Sequence, residues 1–247
     1  MALLSLHHLR RSLLWLTLFS IAMGFLESAV VIYLRALYYP HGFQFPLVLM
    51  PNTMAGVELL REAATIVMLA SIGIVAGRNT AQRFSFFIYS FAVWDIFYYV
   101  FLKLFLDWPE SLFTWDILFL IPVPWVGPVI APCIVSFTMI VLTLIIIFAA
   151  EKENHITISL TQWLLLLTGS LVLIVSFTED YFHYAHGNLH SIWTPQSKEE
   201  IYFAIEHYVP QSFNWILFCA AEVILLLAVY SINRTIQVAK KNSVAKT

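Results

Sequence analysis

The sequence predicts an all-α integral membrane protein, a bundle of six transmembrane helices with a Pro-rich broken or re-entrant segment before the fourth helix. Three observations predict it. Of 247 residues, 60% are hydrophobic and only 11% are charged, whereas a soluble domain is about 45–50% apolar and about 25% charged. Apolar runs of the roughly 20 residues needed to cross a bilayer recur along the chain. Four prolines, Pro122, Pro124, Pro128 and Pro132, crowd one uncharged stretch that is too long for a single crossing. The same composition excludes disorder, which needs low hydrophobicity. Two cysteines exclude a disulfide scaffold, and a net charge of -2 excludes the basic field of a nucleic-acid binder.

Residues 1–247 read as one polytopic domain, and the spans follow in order. The first covers about 13–34, broken only by Glu27. His7, His8, Arg10 and Arg11 precede it like the n-region of a signal peptide, but the apolar run passes Ala22-Met23-Gly24 without a cleavage site, so an uncleaved span is expected. The second covers about 54–77 and the third about 84–106. Residues 117–150 carry no charge. One helix of that length would run about 51 Å, too long for one crossing and too short for two with a turn. Each proline removes an N–H and clashes with the preceding turn, so the stretch divides into an irregular or half-inserted segment, 117–128, and a fourth span, about 129–150. The fifth covers about 156–178, an outer loop with an interfacial helix occupies 179–211, and the sixth covers about 212–232.

Six spans put both ends on one side. Placing them in the cytoplasm leaves Arg10, Arg11, Arg78, Arg83, Lys152, Arg234, Lys240, Lys241 and Lys246 inside, against Arg35, Arg61, Lys103 and Lys198 outside or at its border. This asymmetry predicts a multi-pass protein of the plasma (inner) membrane with both termini cytoplasmic. Cys133 and Cys219 fall inside spans, so no disulfide is expected. Asp95 and Glu222 sit mid-span in the third and sixth helices as in a three-plus-three inverted repeat, but nothing else aligns.

An ionisable group in hydrocarbon is costly unless it is paired, neutralised or lining water, so each intramembrane one is a site candidate. Glu27, Glu58, Glu62, Asp95 and Glu222 are such acids, with Arg35, Arg61 and Lys103 as candidate cations of a polar cavity on the outer half. Glu58, Arg61 and Glu62, three and four apart, share one helical face. They make either a clamp for a ligand or an internal salt bridge. Tyr98, Tyr99 and Lys103 follow Asp95 by one and two turns and are candidates to hydrogen-bond or compensate it. The run Asp107–Asp116 reads as a short interfacial helix, with Pro109 in its first turn and Trp108 and Trp115 at headgroup level. Ile121–Pro128 reads either as a re-entrant lip of the cavity or as an interfacial loop.

Beyond the fifth span, a helix continued to His186 would bring Glu179, His183 and His186 onto one stripe, with Gly187 letting His190 fold back. Two imidazoles and a carboxylate are a ligand set for a divalent metal such as zinc or iron, with Asp180 and His190 as outer partners or base. The alternative is a wet interfacial belt of His and Tyr. Ser197-Lys198-Glu199-Glu200 reads as a capping box opening a helix to about Val209 that lies flat on the outer surface. Gly73-Ile74-Val75-Ala76-Gly77 is a GxxxG that permits close packing or a homodimer.

The expected function is the binding or transport of an ion, proton or small charged solute in an outward-opening polar cavity. A membrane-embedded metalloenzyme using the His/carboxylate stripe is the first alternative. An integral subunit that meets other membrane proteins is the second. The bilayer is the expected surrounding partner, and nucleic acid is not a partner.

Overall fold

Apolar length decides the architecture. In the computed structural model, which describes residues 2–120, 123–152, 158–188 and 207–244, six helices are long and apolar enough to cross a membrane. They are α1 (Ala2–Tyr38), α2 (Asn52–Ala76), α3 (Thr80–Leu106), α4 (Ile130–Lys152), α5 (Leu160–Asn188) and α6 (Trp215–Val244). Their outward faces carry large apolar side chains, with Val75 81% and Ile216 85% exposed. Water would not tolerate so much continuous apolar surface, whereas hydrocarbon favours it. This is the pattern of a multi-pass membrane protein.

Local chemistry sets the helix ends. The Asn79 side chain accepts a hydrogen bond from Gln82 N at 2.9 Å and starts α3. Asp107, at φ 51°, ends it in the left-handed conformation. Pro132 sits in the first turn of α4, where an N–H would lack a helical partner in any case. Helix α5 runs past the expected end of the fifth span to Asn188, so residues 179–188 are helix rather than loop.

Packing falls into two groups joined through α4. Helices α1 and α2 both lie along α3 and barely touch each other, α3 packs on α4, and α5 pairs with α6, which returns to α4. The second group is held by a core in which Ala131, Ile146, Ala221 and Ala228 are fully buried. The two glycines of the GxxxG are used inside the chain. A Cβ on Gly73 would stand 2.6 Å from Phe87 N, and one on Gly77 2.5 Å from Arg83 N. They let the end of α2 approach the backbone of α3.

Between α3 and α4 the structure departs from expectation. Asp107–Asp116 is not an interfacial helix; after a turn at Leu112-Phe113 the chain enters a strand, β1 (Trp115–Phe119). This strand pairs antiparallel with β2 (Trp125–Pro128), with Trp115 opposite Pro128, Ile117 opposite Val126, and an irregularity between Ile117 and Phe119. The expected irregular segment is therefore largely a hairpin, of which Ile121 and Pro122 lie outside the described residues. The prolines do stop a helix, but β-branched and aromatic side chains there find a strand partner. Val129 N donates to Thr114 O at 3.0 Å and Ile130 N to Leu112 O at 2.8 Å, joining the hairpin to the start of α4. Gly127 passes so close to α5 that a Cβ would meet the Phe177 ring at 2.9 Å.

Candidate functional site

The gap between α1 and α2 is a cavity of about 240 Å³, backed by α3 and flanked by β1 and the loop 39–50. One water needs only about 10–15 Å³ by such a measure, so the space admits several waters or a small organic molecule. An apolar cluster of Met23, Leu69 and Trp94, with Phe91 of α3 and Phe119 of β1 against it, adjoins the cavity, which Trp94 and Phe119 also line.

Three acids reach the cavity at one depth. Glu27 lies eleven residues before Tyr38, Glu62 ten after Asn52, and Asp95 eleven before Leu106. At ~1.5 Å per residue each stands about 15–16 Å below the hairpin end of its helix. Six of the eight expected cavity residues line this space: Glu27, Arg35, Glu58, Arg61, Glu62 and Asp95.

The arginines are committed. Arg61 Nε donates to Glu58 Oε2 at 2.9 Å and Nη2 to Glu58 Oε1 at 2.5 Å, a two-pronged contact within α2. Its Nη1 donates to Glu27 Oε1 of α1. Thr65 Oγ1 adds a longer contact to Glu27 Oε2 at 3.4 Å. At the hairpin end, Arg35 Nη2 pairs with Asp116 Oδ1 at 3.4 Å. The Arg35 guanidinium also lies over Trp108, 3.8 Å from the ring centroid, and over Phe43 at 4.5 Å. The pair is almost wholly buried, with side chains 9% and 3% exposed. Arg35 Nη1 and Asp116 Oδ2 have no hydrogen-bond partner among the described residues. Burial pushes the Asp116 carboxyl up to about 6, against the opposing pull of Arg35.

Glu62 and Asp95 have no cationic partner among the described residues. Glu62 Oε2 accepts from Leu120 N of the hairpin at 3.2 Å. Asp95 Oδ2 accepts from Ser136 Oγ of α4 at 2.8 Å. Asp95 is only half-buried despite its depth, because its remaining surface faces the cavity.

Two expected members stand elsewhere. Lys103 does not line the cavity and does not compensate Asp95. Its Nζ lies 2.7 Å from Asp107 Oδ1 and donates to the carbonyls of Asp107 and Pro109, so it closes the end of α3. Lys103 holds the exposed Asp107 carboxyl below its ordinary range. Glu222 lies between α6 and α4, where its Oε2 accepts from Thr138 Oγ1 at 2.8 Å. Asp116 belongs to the cavity wall and was not among the expected cavity residues. Its partner is 81 positions away, so only the hairpin brings it to Arg35.

The Glu179 stripe has other duties. Asn214 Nδ2 donates to Glu179 Oε2 at 2.8 Å. His183 Nε2 is 3.5 Å from Glu179 Oε1, but its side chain is 79% exposed. Asp180 accepts from Tyr208 Oη at 2.8 Å and from Ser212 N at 3.0 Å, which pins the segment before α6 to α5. Burial and the Asp180 carboxylate push the Tyr208 hydroxyl up. The His186 side chain, His190 and nearly all of the expected surface helix 197–209 lie outside the described residues. Among the described residues, no group of three or more His, Cys, Asp and Glu side chains is arranged to hold a metal ion.

No family model, curated protein or solved structure matches this chain.

Proposed function

We propose that the chain is a membrane protein that binds or moves a small charged solute through the cavity between α1 and α2. The observation that carries this is the gathering of Glu27, Glu58, Glu62, Asp95 and Asp116 with two arginines around one space. Charges buried at this depth are costly unless they pair or face a wet cavity. Five carboxylates exceed what two guanidiniums can neutralise. A purely structural network would close on itself, as the Arg61 cluster does. Glu62 and Asp95 instead stand beside free volume with no cationic partner among the described residues. The distribution of Lys and Arg supports a plasma-membrane protein with cytoplasmic ends, which directs the hairpin end of the cavity outward.

The test is thiol accessibility. In a background carrying Cys133→Ser and Cys219→Ser, Val31→Cys and Leu118→Cys place a thiol on the cavity wall. Leu225→Cys places one in the α4–α5–α6 core. A membrane-impermeant methanethiosulfonate applied from outside is expected to label the first two and spare the third. Unlabelled cysteines at both Val31 and Leu118 would remove the wet cavity and the function with it.

A further inference from the structure

We infer that the solute is a small organic cation, an ammonium group on an aromatic or aliphatic body, with Glu62 and Asp95 as its charge partners. This rests on the cavity reading above and narrows it. An anion would meet the wrong field. Arg61 is already held between Glu27 and Glu58, a set with excess negative charge, and Arg35 is held by Asp116 and lies over the rings of Trp108 and Phe43. Among the described residues, Glu62 and Asp95 each accept one hydrogen bond from the protein. An ionised carboxylate has about four acceptor sites, so both keep room for a donor from a ligand. Asp116, 3% exposed in its side chain, adds a further carboxylate to the same wall.

The rest of the lining decides between an organic and an inorganic cation. A hard metal cation requires about six to eight oxygen ligands at close range. Here most of the other lining groups are rings and aliphatic chains, among them Tyr38, Phe43, Trp94, Tyr98, Tyr99 and Phe119, and among the described residues no group of three His, Cys, Asp or Glu side chains is arranged to hold a metal ion. Aromatic faces attract a cation without needing lone pairs, and they bury its apolar body at the same time. A cavity of about 240 Å³ suits a molecule of one ring and a short amine arm.

The experiment uses the full chain in detergent with Val31→Cys as reporter. Benzylammonium, phenylpropylammonium and tetraethylammonium are compared with benzoate, benzyl alcohol, and sodium or potassium chloride at matched ionic strength. At least one organic cation is expected to slow labelling and raise the unfolding temperature, while benzoate, benzyl alcohol and the alkali salts do neither. Glu62→Gln and Asp95→Asn are each expected to raise the half-protecting concentration at least tenfold, since each removes a charge-assisted contact while keeping the shape. Equal or better protection by benzoate, benzyl alcohol or an alkali salt would overturn the inference, with no variant needed. Unchanged protection in both folded variants would do the same. A reactive Val31→Cys that none of the three cations protects overturns the ligand class alone. If Val31→Cys is unreactive, Leu118→Cys serves as the reporter, and an unreactive thiol at both positions overturns the cavity reading beneath it.

Discussion

Arg61 of α2 reaches Glu27 of α1 across a gap that the two helices themselves leave open. Consecutive helices ordinarily pack side by side. Here both lean on α3, and the guanidinium is the main bridge between them near mid-helix. The cavity exists because that bridge is made of side chains rather than of backbone contact.

Removing the bridge should therefore cost more than removing an ordinary surface pair. Arg61→Ala leaves the carboxylates of Glu27 and Glu58 facing each other with no cation, their side chains only 11% and 10% exposed. The expected loss is about 3–5 kcal/mol, as for a broken buried pair. Arg61→Met combined with Glu27→Gln and Glu58→Gln should recover most of it. Thermal unfolding in detergent measures both, and a single mutant as stable as the parent would contradict the bridge.

Glycines within α2 should behave in opposite ways. Gly73→Ala places a Cβ 2.6 Å from Phe87 N and 2.8 Å from its Cα, backbone that cannot turn aside, so α2 must lift from α3 and the unfolding temperature falls. Gly56→Ala meets nothing within 4 Å. It should be neutral or stabilising by up to about 1 kcal/mol through helix propensity. The same unfolding assay checks the pair, and equal effects would refute the close α2–α3 contact.

Stability should also carry a pH signature from Asp116. Its carboxyl is raised from 3.8 to about 6 in the folded chain. The folded state thus holds this proton more tightly than the unfolded one. The contribution is greatest below about pH 4 and is lost as pH rises through about 6. A difference of about 2 pH units corresponds to about 3 kcal/mol. Asp116→Asn should flatten this part of the profile between pH 4 and 6. A mutant with the parental slope there would show that Asp116 titrates normally.

Reporter fusions test the orientation. Fusions after Gly77, Glu151 and Lys241 are expected to report cytoplasm, and fusions near Pro40, Glu110 and Gln211 the outer side. The opposite pattern would reverse the cavity mouth as well as the termini.

The helices were legible because apolar length is a property of one segment at a time. The start of α4 at Ile130 is legible in the 117–150 stretch for the same reason, since proline marks a helix start locally. Strand pairing is not local. Trp115 meets Pro128 only once both flanks are folded, so a run with Pro109 in a first-turn position and two Trp read as an interfacial helix. The Glu58–Arg61 pair was visible in its i, i+3 spacing. The link from Arg61 to Glu27, 34 positions away, and the link from Arg35 to Asp116 depend on tertiary placement. Spacing places Lys103 two turns from Asp95 but says nothing of the helix end, where Asp107 and the carbonyls of Asp107 and Pro109 take the ammonium.

The clasp of Gly73 and Gly77 against α3 also gives α2 the mechanics of a lever. Its foot is gripped backbone to backbone, while its upper half is held to α1 by exchangeable ionic contacts and faces open volume. Glu62 stands eleven residues, or about 16 Å, above this fulcrum, so a tilt of about 10° carries its carboxylate sideways by about 3 Å. That stroke is enough to part Arg61 from Glu27 and to widen the space beside Asp95 without disturbing a single turn of the helix.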